Sequence, residues 1–498
     1  MPFIQNIPFI SIIAPIVCAI ICLQLSPRKA KRVTLACLSS LAAASAALLC
    51  YALRLGQSFT YKMGSFPSPW GNEIRAGSLE AFLALLFCTV CLCAVAGGSD
   101  DIEADLPPVR ISYYFLMQNM MIGAMLALIY TNDLFTAYVF IEILTISASS
   151  VVSAKPGGRT LAATMVYLFM SLVGSCLLLF SISILYGVTG HLLMPGLQTT
   201  VAVLAATGRY TLPLFVTVGL MTAGLGIKSA LFPFHSWLPE AHASATTSAS
   251  AVLSGLIVKS YLILLIKMIC RVFGLEMVRN IALPYILVAF GAAGILYGSA
   301  TAIRQKSIKL MLSYGSVSQI GYICLAIGLC TAAGLAAACY HITVHAIAKA
   351  MLFTSAGRLS VVSEHSKSFD KLRGAARRDP LAGAAFVIGG LTMVGIPPFP
   401  GFTSKLYLAT ASMNTGFAPI VLFVAILAST VLGAMYYFPA IACLMAQRNG
   451  GDVMKTLAVP RTILPTASLV AFISLTLLLG LFSQQVIGVI AQGLAVFG

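Results

Sequence analysis

Four lysines of this 498-residue sequence, Lys228, Lys259, Lys349 and Lys405, lie deep inside apolar segments. A lysine at the centre of a membrane helix costs roughly 2.5–3.5 kcal/mol, so four facing lipid would cost on the order of 10–14 kcal/mol. That is comparable to the stability of a whole fold. The four side chains are therefore predicted to face a bundle interior or internal water, where ionisable residues usually have a function. Donation to carbonyls freed at helix breaks is the alternative.

Among the fourteen acidic residues, only Glu142 is predicted to lie well inside an apolar segment. Burial disfavours a charged lysine, whereas a nearby carboxylate favours it. A lysine that moves towards and away from Glu142 could therefore bind and release a proton, although a static ion pair is also possible. Glu80, near the start of the third segment, is expected at the membrane interface. Lys267, near the end of the eighth, is expected to reach the interface with its long stem.

The segment YHITVHAIAKAMLF places His341, His345 and Lys349 four residues apart, so they share one helical face. Histidine suits proton transfer near neutral pH. A histidine pair with this spacing also fits a metal site, but no carboxylate lies in this helix and no cysteine shares the face of the pair. Simple core hydrogen bonding is the third interpretation. The pair Cys88 and Cys91 lies within one apolar segment and is expected to be a pair of small hydrophobes. No metal and no cofactor is predicted.

The elements that position these residues are predicted to be membrane helices. The sequence is 59% hydrophobic and 9% charged, with mean hydropathy +0.97, whereas soluble proteins carry about 25% charged residues. Apolar stretches of spanning length fill the chain and give about fourteen spans of an all-α polytopic membrane protein. This composition excludes ordinary cytosolic enzymes, nucleic-acid binders and secreted disulfide scaffolds.

Two predicted spans, the seventh (210–244) and the twelfth (381–412), are too long for one straight crossing and contain internal prolines. The prolines are Pro233 and Pro239 in the seventh, and Pro397, Pro398 and Pro400 in the twelfth. Proline breaks the helical hydrogen-bond ladder. Paired interruptions in two halves of a transporter indicate inverted repeats with a site near the bilayer midplane.

Lysine and arginine are unevenly distributed between alternate loops. With both termini outside, the cytoplasmic loops hold nineteen of them and the opposite loops six. This ratio follows the positive-inside rule. We therefore expect a multi-pass protein of the cell inner (plasma) membrane with both termini outside.

The segment GIKSALFPFHSWLPEAHASATTSASAVLSGLIVK closely resembles a motif of antiporter-like proton-translocating subunits. This family occurs in respiratory complex I, Mrp-type multisubunit cation/proton antiporters and membrane-bound energy-converting hydrogenases. The segments AIRQKSIKLMLSYGSVSQIGY, HITVHAIAKAMLFTSAG and GIPPFPGFTSKLYL follow in the family's order. The expected organisation is residues 1–106 for three N-terminal helices, 107–446 for an antiporter-like domain of helices 4–13, and 447–498 for helix 14.

The resemblance implies two inverted five-helix repeats, with discontinuous helices 7 and 12, and a hydrated polar axis along the middle of the membrane. By resemblance its residues are Glu142 of helix 5, Lys228 at the break of helix 7, Lys259 of helix 8, His341, His345 and Lys349 of helix 11, and Lys405 of helix 12. His235 lies at the break of helix 7, where it could equally be a satisfied interior histidine. The family commonly has prolines near positions 245–248, which this sequence lacks, so a more regular start to helix 8 is expected.

The predicted function is that of a membrane subunit of a multisubunit complex. The subunit moves protons, and in an antiporter it would exchange them for Na⁺. The sequence has no Walker, Rossmann or iron–sulfur pattern and no catalytic site of its own is expected, so a redox partner or cation exchange must supply the energy. Expected partners are other membrane subunits, a redox arm and lipid, but no nucleic acid. Length and Lys405 favour an Mrp-like or hydrogenase-like member. A stand-alone transporter of a small anionic solute and an inert structural subunit are the alternatives.

Overall fold

The computed structural model describes residues 3–63, 66, 71–413, 419–447 and 462–495, and these are overwhelmingly helical. Thirteen of the described helices are long and apolar enough to cross a membrane. They are Ile4–Gln24, Pro27–Leu55, Ser78–Gly97, Pro108–Tyr130, Leu134–Val152, Gly158–Thr189, Thr211–Lys228, Thr247–Phe273, Leu283–Ile303, Ile308–Gly328, Ala332–Val361, Pro419–Met445 and Ile463–Leu481. The predicted twelfth span is the helix pair Pro380–Val394 and Pro400–Met413. The all-α polytopic prediction is confirmed.

Shorter elements lie between the spans and at both ends of the bundle sequence. The helical ones are Phe3–Asn6, Ser99–Asp105, Met194–Ala206, Phe234–Ser236, Trp237–Ser244, Leu275–Arg279, Phe369–Leu372, Ala375–Arg378 and Ser483–Ala495. An antiparallel pair of strands, Phe59–Lys62 and Glu73–Ala76, lies between the second and third spans and was not predicted. The predicted helix 14 is divided into Ile463–Leu481 and Ser483–Ala495.

The seventh span is broken, as its prolines predict. Its first half ends at Lys228, a short 3₁₀ turn covers Phe234–Ser236, and Trp237 begins the second half. The Trp237 indole Nε1 donates to the carbonyl of Ile227 at 3.0 Å. This bond satisfies a backbone acceptor that the break leaves without its helical partner.

The twelfth span is broken in the same manner. Its first half ends before Gly395, which has a left-handed φ of 87°, and its second half begins at Pro400. The two halves approach closely at Gly401, where an added Cβ would stand 1.7 Å from the Thr392 carbonyl oxygen. Only glycine fits this contact.

The eighth span starts as a regular α-helix but does not continue as one. The Thr246 hydroxyl caps its first α-helical segment by accepting from the Ala249 amide at 3.3 Å. After Thr247–Val252 the backbone widens into a π-helical turn over Leu253–Ile257, and a second one covers Ile269–Phe273. The expected regularity therefore holds only for the first segment. Such π-turns inside α-helices often mark functional sites.

The described loops that follow odd-numbered spans lie at one end of the bundle, and the described loops that follow even-numbered spans lie at the other end. At one end, contacts join Lys31 to Glu103, Lys155 to Asp105 (2.7 Å), and Lys367 to the Ala243 carbonyl (3.0 Å). At the other end, contacts join Ile74 to Thr131, Asp133 to Leu193, and Arg279 to the Cys330 carbonyl (2.8 Å). We call the first end the basic face, because it collects the loops with most lysine and arginine. Three of the predicted loop cations, Arg448, Lys455 and Arg461, lie outside the described residues.

The eighth and eleventh spans form the centre of the bundle, and their apolar stretches are completely buried. Around them, helices make close backbone contacts at glycine pairs. An added Cβ on Gly224 would lie 2.6 Å from the Gly174 carbonyl, and one on Gly321 would lie 2.5 Å from the Gly291 carbonyl. The central helices that carry Lys259, His341, His345 and Lys349 are therefore shielded from lipid.

Candidate functional site

An acid and a lysine meet at the break of the seventh span. The Lys228 ammonium lies 3.6 Å from Glu142 Oε1 and donates to the Thr145 hydroxyl at 2.9 Å. Glu142 and Thr145 are three residues apart and share one helical face. The Ser175 hydroxyl donates to the Glu142 carboxylate. Lys228 is buried, whereas the Glu142 side chain is 30% exposed. The helix C-terminus beside Lys228 also favours its positive charge.

Aromatic residues connect this pair to the eighth span. The Lys228 ammonium stands 5.7 Å from the centre of the Tyr261 ring, in cation–π range. Tyr261 lies two residues after Lys259 in the same span. The hydroxyls of Tyr261 and Tyr167 are buried and have no protein hydrogen-bond partner among the described residues.

Lys259 is fully buried at the centre of the molecule. Its ammonium donates to the Ser254 carbonyl, which belongs to the π-helical turn of the same span. The wider turn thus provides the acceptor that a buried ammonium requires. The Ser254 hydroxyl is hydrogen-bonded to that of Ser316 at 2.8 Å, which ties the turn to the tenth span.

The histidine and lysine residues of the eleventh span share one buried face. The rings of His341 and His345 stack with centroids 6.2 Å apart. The Lys349 ammonium donates to the Leu312 carbonyl at 2.7 Å and lies 3.5 Å from the Tyr437 hydroxyl. Lys259, Lys349 and His345 are close electrostatic neighbours.

Lys405 ends the series in the second half of the twelfth span. Its ammonium donates to the Val394 carbonyl at 2.8 Å and to the Thr430 hydroxyl at 3.1 Å. The preceding residue, Ser404, is hydrogen-bonded to His341 Nδ1 at 2.7 Å. The Tyr322 ring lies 5.3 Å from both the Lys405 ammonium and the His341 ring centre.

The seven predicted residues therefore form two groups: Glu142 with Lys228, and Lys259 with Lys349, His345, His341 and Lys405. Tyr261, which lies near the Lys228 ammonium and belongs to the same span as Lys259, stands between the two groups. Together they make up one row of ionisable side chains. We call it the central axis. The alternative that the lysines donate to helix-break carbonyls is compatible with this arrangement, since Lys405 does so. His235 lies apart from the axis, because its ring packs against Phe232 and Tyr297 at 5.5 and 4.8 Å.

Two residues expected at the membrane interface are buried. Glu80 is 2% exposed; it pairs with Arg75 at 3.2 Å and accepts from the Gly77 amide at 2.9 Å. The Lys267 ammonium donates to carbonyls at the end of the fourth span, those of Leu128, Ile129 and Thr131. Both side chains lie near the ends of spans, and protein covers them: the chain between the second and third spans covers Glu80, and the end of the fourth span covers Lys267.

His242 was not among the predicted site residues, and Lys309 was one of the nineteen cations predicted in cytoplasmic loops. His242 is fully buried, and its ring stacks on Phe353 with centroids 4.7 Å apart. Its charged neighbours are Lys309, Lys349 and Lys259. Lys309, which was counted with a loop, is also buried and donates to the Ala245 carbonyl at 2.9 Å. A signal for His242 was present, since it lies three residues after the proline of the second half-helix.

Several polar atoms along the central axis are buried without a protein hydrogen-bond partner among the described residues. They are both ring nitrogens of His345, Nε2 of His341, Oε1 of Gln319, and the hydroxyls of Tyr167 and Tyr261. Buried polar groups in proteins are almost always hydrogen-bonded to protein or ordered water. Polar atoms arranged in this way can hold bridging water molecules, and the axis is then a chain of groups able to exchange protons.

Known proteins are similar to this chain in sequence and fold. A family model described as NADH:quinone oxidoreductase/Mrp antiporter, TM, matches residues 131–433. NADH-quinone oxidoreductase subunit N of Desulforudis audaxviator is 32% identical over 98% of both chains. Hydrogenase-4 component B of Escherichia coli is 29% identical over 67% of this chain and 50% of its own length. A chain in the structure of the Mrp complex from Dietzia sp. is 22% identical and has a TM-score of 0.88, with 99% of this chain and 97% of that chain covered.

The family model covers more than half of the chain, and subunit N matches it nearly from end to end. The thirteen candidate spans agree with this relationship. The chain is a multi-pass membrane protein that belongs to the NADH:quinone oxidoreductase/Mrp antiporter transmembrane family.

Proposed function

We propose that this chain is the proton-translocating membrane subunit of a multisubunit complex in the plasma membrane. Protons enter beside Glu142 and Lys228, cross through Lys259 and Lys349, and leave beside Lys405. The basic face is cytoplasmic and both termini are outside, as the distribution of lysine and arginine favours. The conducting unit is the proposed domain 107–446 with its two inverted repeats.

One observation carries this proposal. The lysines of the central axis point into the bundle, and each one lies next to polar groups of a neighbouring helix or of its own helix. A change of charge at Glu142 alters the field at Lys228, and the altered proton affinity of Lys228 then acts on Lys259. The effect is strong because Coulomb interactions are weakly screened in a buried site. Carrying one charge across the membrane is worth about 2.3 kcal/mol per 100 mV, so other subunits must supply this energy.

The names of the related proteins support a role as one subunit among several. They include a quinone oxidoreductase subunit, a hydrogenase component and a chain of an Mrp complex. We infer that either a redox reaction or exchange against another cation drives the same axis. Because the relatives are subunits of larger assemblies, they do not favour a stand-alone transporter of an anionic solute.

Lys228→Ala tests the proposal in the assembled complex. With the complex in sealed vesicles, we expect proton flux per assembled complex to fall by about tenfold or more, the scale of a lost acid–base group. Lys267→Ala is the matched control, because it also removes a buried ammonium but one outside the central axis. It is expected to reduce assembly yield, not flux per assembled complex. Unchanged flux in Lys228→Ala would show that the axis does not conduct protons.

A further inference from the structure

A second polar cluster lies at the basic face, beside the start of the eighth span. The short helix Ser99–Asp105 carries four acids, and three of them have partners elsewhere: Asp100 accepts from Thr462, Glu103 pairs with Lys31, and Asp105 pairs with Lys155. Asp101 is the fourth; it is half-buried and faces the bundle. One acid of this helix is thus both close to water and in contact with the interior.

Asp101 meets Thr247, a residue of the first turn of the eighth span. The two side chains converge above Gly357 of the eleventh span, where an added Cβ would stand 3.0 Å from Asp101 Oδ2 and 2.6 Å from the Thr247 hydroxyl oxygen. A larger residue at position 357 would fill this space. The glycine therefore leaves room for a carboxyl–hydroxyl contact directly over the central helix.

Polar atoms continue inward from this contact. The Tyr114 hydroxyl faces Ser248 and Thr246, and the Ser250 hydroxyl donates to the His242 carbonyl at 3.3 Å. Within the described residues, the Tyr114 hydroxyl, the Ser248 hydroxyl and both ring nitrogens of His242 are buried without a protein hydrogen-bond partner. Buried groups of this kind require water. These groups belong to the fourth span and to the adjoining helices Trp237–Ser244 and Thr247–Val252, so they are the candidates for a water path from Asp101 to His242, whose charged neighbours include Lys349 and Lys259.

We propose that Asp101 is a second proton-uptake group, which loads the middle of the central axis from the basic face. The Asp101 carboxyl passes its proton to water held by Thr247, Ser248 and Tyr114, and takes another from the aqueous phase. The water chain protonates one nitrogen of neutral His242, and the other nitrogen releases its proton to a neutral Lys349 or Lys259. This inference rests on the proposed function and adds an inlet distinct from Glu142.

The surroundings of Asp101 suit proton uptake. Burial raises the pKa of its carboxyl, while the Thr247 hydroxyl and the Lys309 ammonium lower it. The other charged groups that face it are Asp105, which raises the pKa, and His365, which lowers it. Because burial is the largest influence, the carboxyl holds a proton to a higher pH than a free aspartate does.

Asp101→Asn tests the inlet, with Asp100→Asn as the matched control one residue away. In sealed vesicles containing the complete complex, Asp101→Asn should lower proton flux about fivefold or more, the lower range of a lost relay group. It should also flatten the dependence of flux on pH at the basic face. Asp101→Glu should restore both, and Asp100→Asn should stay within about twofold of wild type. Wild-type flux in Asp101→Asn, or an equal loss in Asp100→Asn, would overturn the proposal.

Thr247→Val and Thr247→Ser provide a second, independent pair if Asp101→Asn reduces assembly. Valine keeps the shape but removes the hydroxyl, so flux should fall, whereas serine should preserve it; equal flux in the two would refute the inlet. Lys228→Ala in the same vesicles separates the two proposals. If Lys228→Ala loses flux and Asp101→Asn keeps normal flux, only the inlet is refuted. If both variants keep normal flux, the proposed function is refuted as well.

Discussion

The lysines of the central axis differ in the acceptors that surround them. Lys228 faces a carboxylate and a hydroxyl, whereas Lys259 donates to a backbone carbonyl of its own span. A carboxylate stabilises the protonated lysine more than a carbonyl does, because it carries a full charge. Lys228 is therefore held by the full negative charge of Glu142, and a change at Glu142 acts on Lys228 directly.

Glu142→Gln should weaken this hold. The substitution leaves the Lys228 ammonium with the Thr145 hydroxyl but without the carboxylate, so proton flux should fall about fivefold or more. Glutamine keeps the size of the Glu142 side chain and can still accept the Ser175 hydrogen bond, so assembly should be largely preserved. Flux in vesicles and the yield of purified complex are the two measurements. Normal flux would indicate that Glu142 only anchors Lys228.

A pH dependence of stability is expected from Asp101. Since burial raises its pKa above the unfolded value near 3.8, the folded state binds the proton more tightly than the unfolded state. Stability is then highest below the unfolded pKa and declines as pH rises through the folded pKa. Asp101→Asn removes this decline, so the purified variant complex should unfold at a higher temperature than wild type at neutral pH. The difference should vanish at about pH 4 and below; a constant difference would show that the carboxyl does not titrate as described.

Most residues of the central axis were predictable because lysine, glutamate and histidine stand out against apolar segments. Burial of Glu80 and Lys267 was not, because the covering groups come from distant parts of the chain. His242 was not predicted, because a single histidine gives no spacing pattern. Its charged neighbours Lys309, Lys349 and Lys259 become visible only in the folded structure.

At the scale of helices, the two breaks follow from proline and were predicted, whereas the π-turns of the eighth span were not. No residue type in Leu253–Ile257 distinguishes it from an α-helix. The strands Phe59–Lys62 and Glu73–Ala76 are each only four residues long, too short for a clear alternating pattern. Irregular geometry of this kind depends on the packing of the surrounding helices.

Gly315 of the tenth span leaves space for the Lys349 ammonium. An added Cβ on Gly315 would lie 2.9 Å from the Lys349 ammonium and 3.3 Å from the Tyr436 hydroxyl. Gly315→Ala should therefore shift the ammonium from the Leu312 carbonyl and reduce proton flux up to about tenfold, since small displacements of reacting groups are costly. The flexible end of the lysine absorbs the clash, so the fold should persist.

Gly219→Ala is the control for Gly315→Ala. Gly219 also lies within a membrane helix, but an added Cβ there meets no atom within 4 Å. Its flux should match wild type, and its helix should be stabilised by up to about 1 kcal/mol. An equal loss of flux in the two variants would mean that helix flexibility, not the position of Lys349, limits transport.

Over the whole molecule, alternating loops were predictable from hydropathy and charge, and their clustering at two ends confirms the alternation. The inverted repeats stay a prediction, as does the orientation in the membrane. Orientation depends on the charge balance of loops, and three of the contributing cations lie outside the described residues.

Labelling with a membrane-impermeant maleimide measures the orientation directly. Lys371→Cys places a thiol at an exposed position of the basic face, and Thr207→Cys places one at an exposed position of the opposite face. With wild-type protein as the background for its native cysteines, Lys371→Cys should react only from the cytoplasmic side and Thr207→Cys only from outside. The reverse pattern would invert the proposed topology.

The partial exposure of Glu142 has a consequence for the life of the chain before assembly. The side chain lies part-way along a membrane helix, and its exposed 30% would face hydrocarbon in a solitary subunit. A neighbouring subunit that covers this exposed part relieves the penalty of an acid against lipid, which is of the order of a few kcal/mol. Unassembled copies should thus be less stable in the bilayer and short-lived. Excess copies of this subunit would then be lost, which would help to keep the subunit ratio of the complex constant.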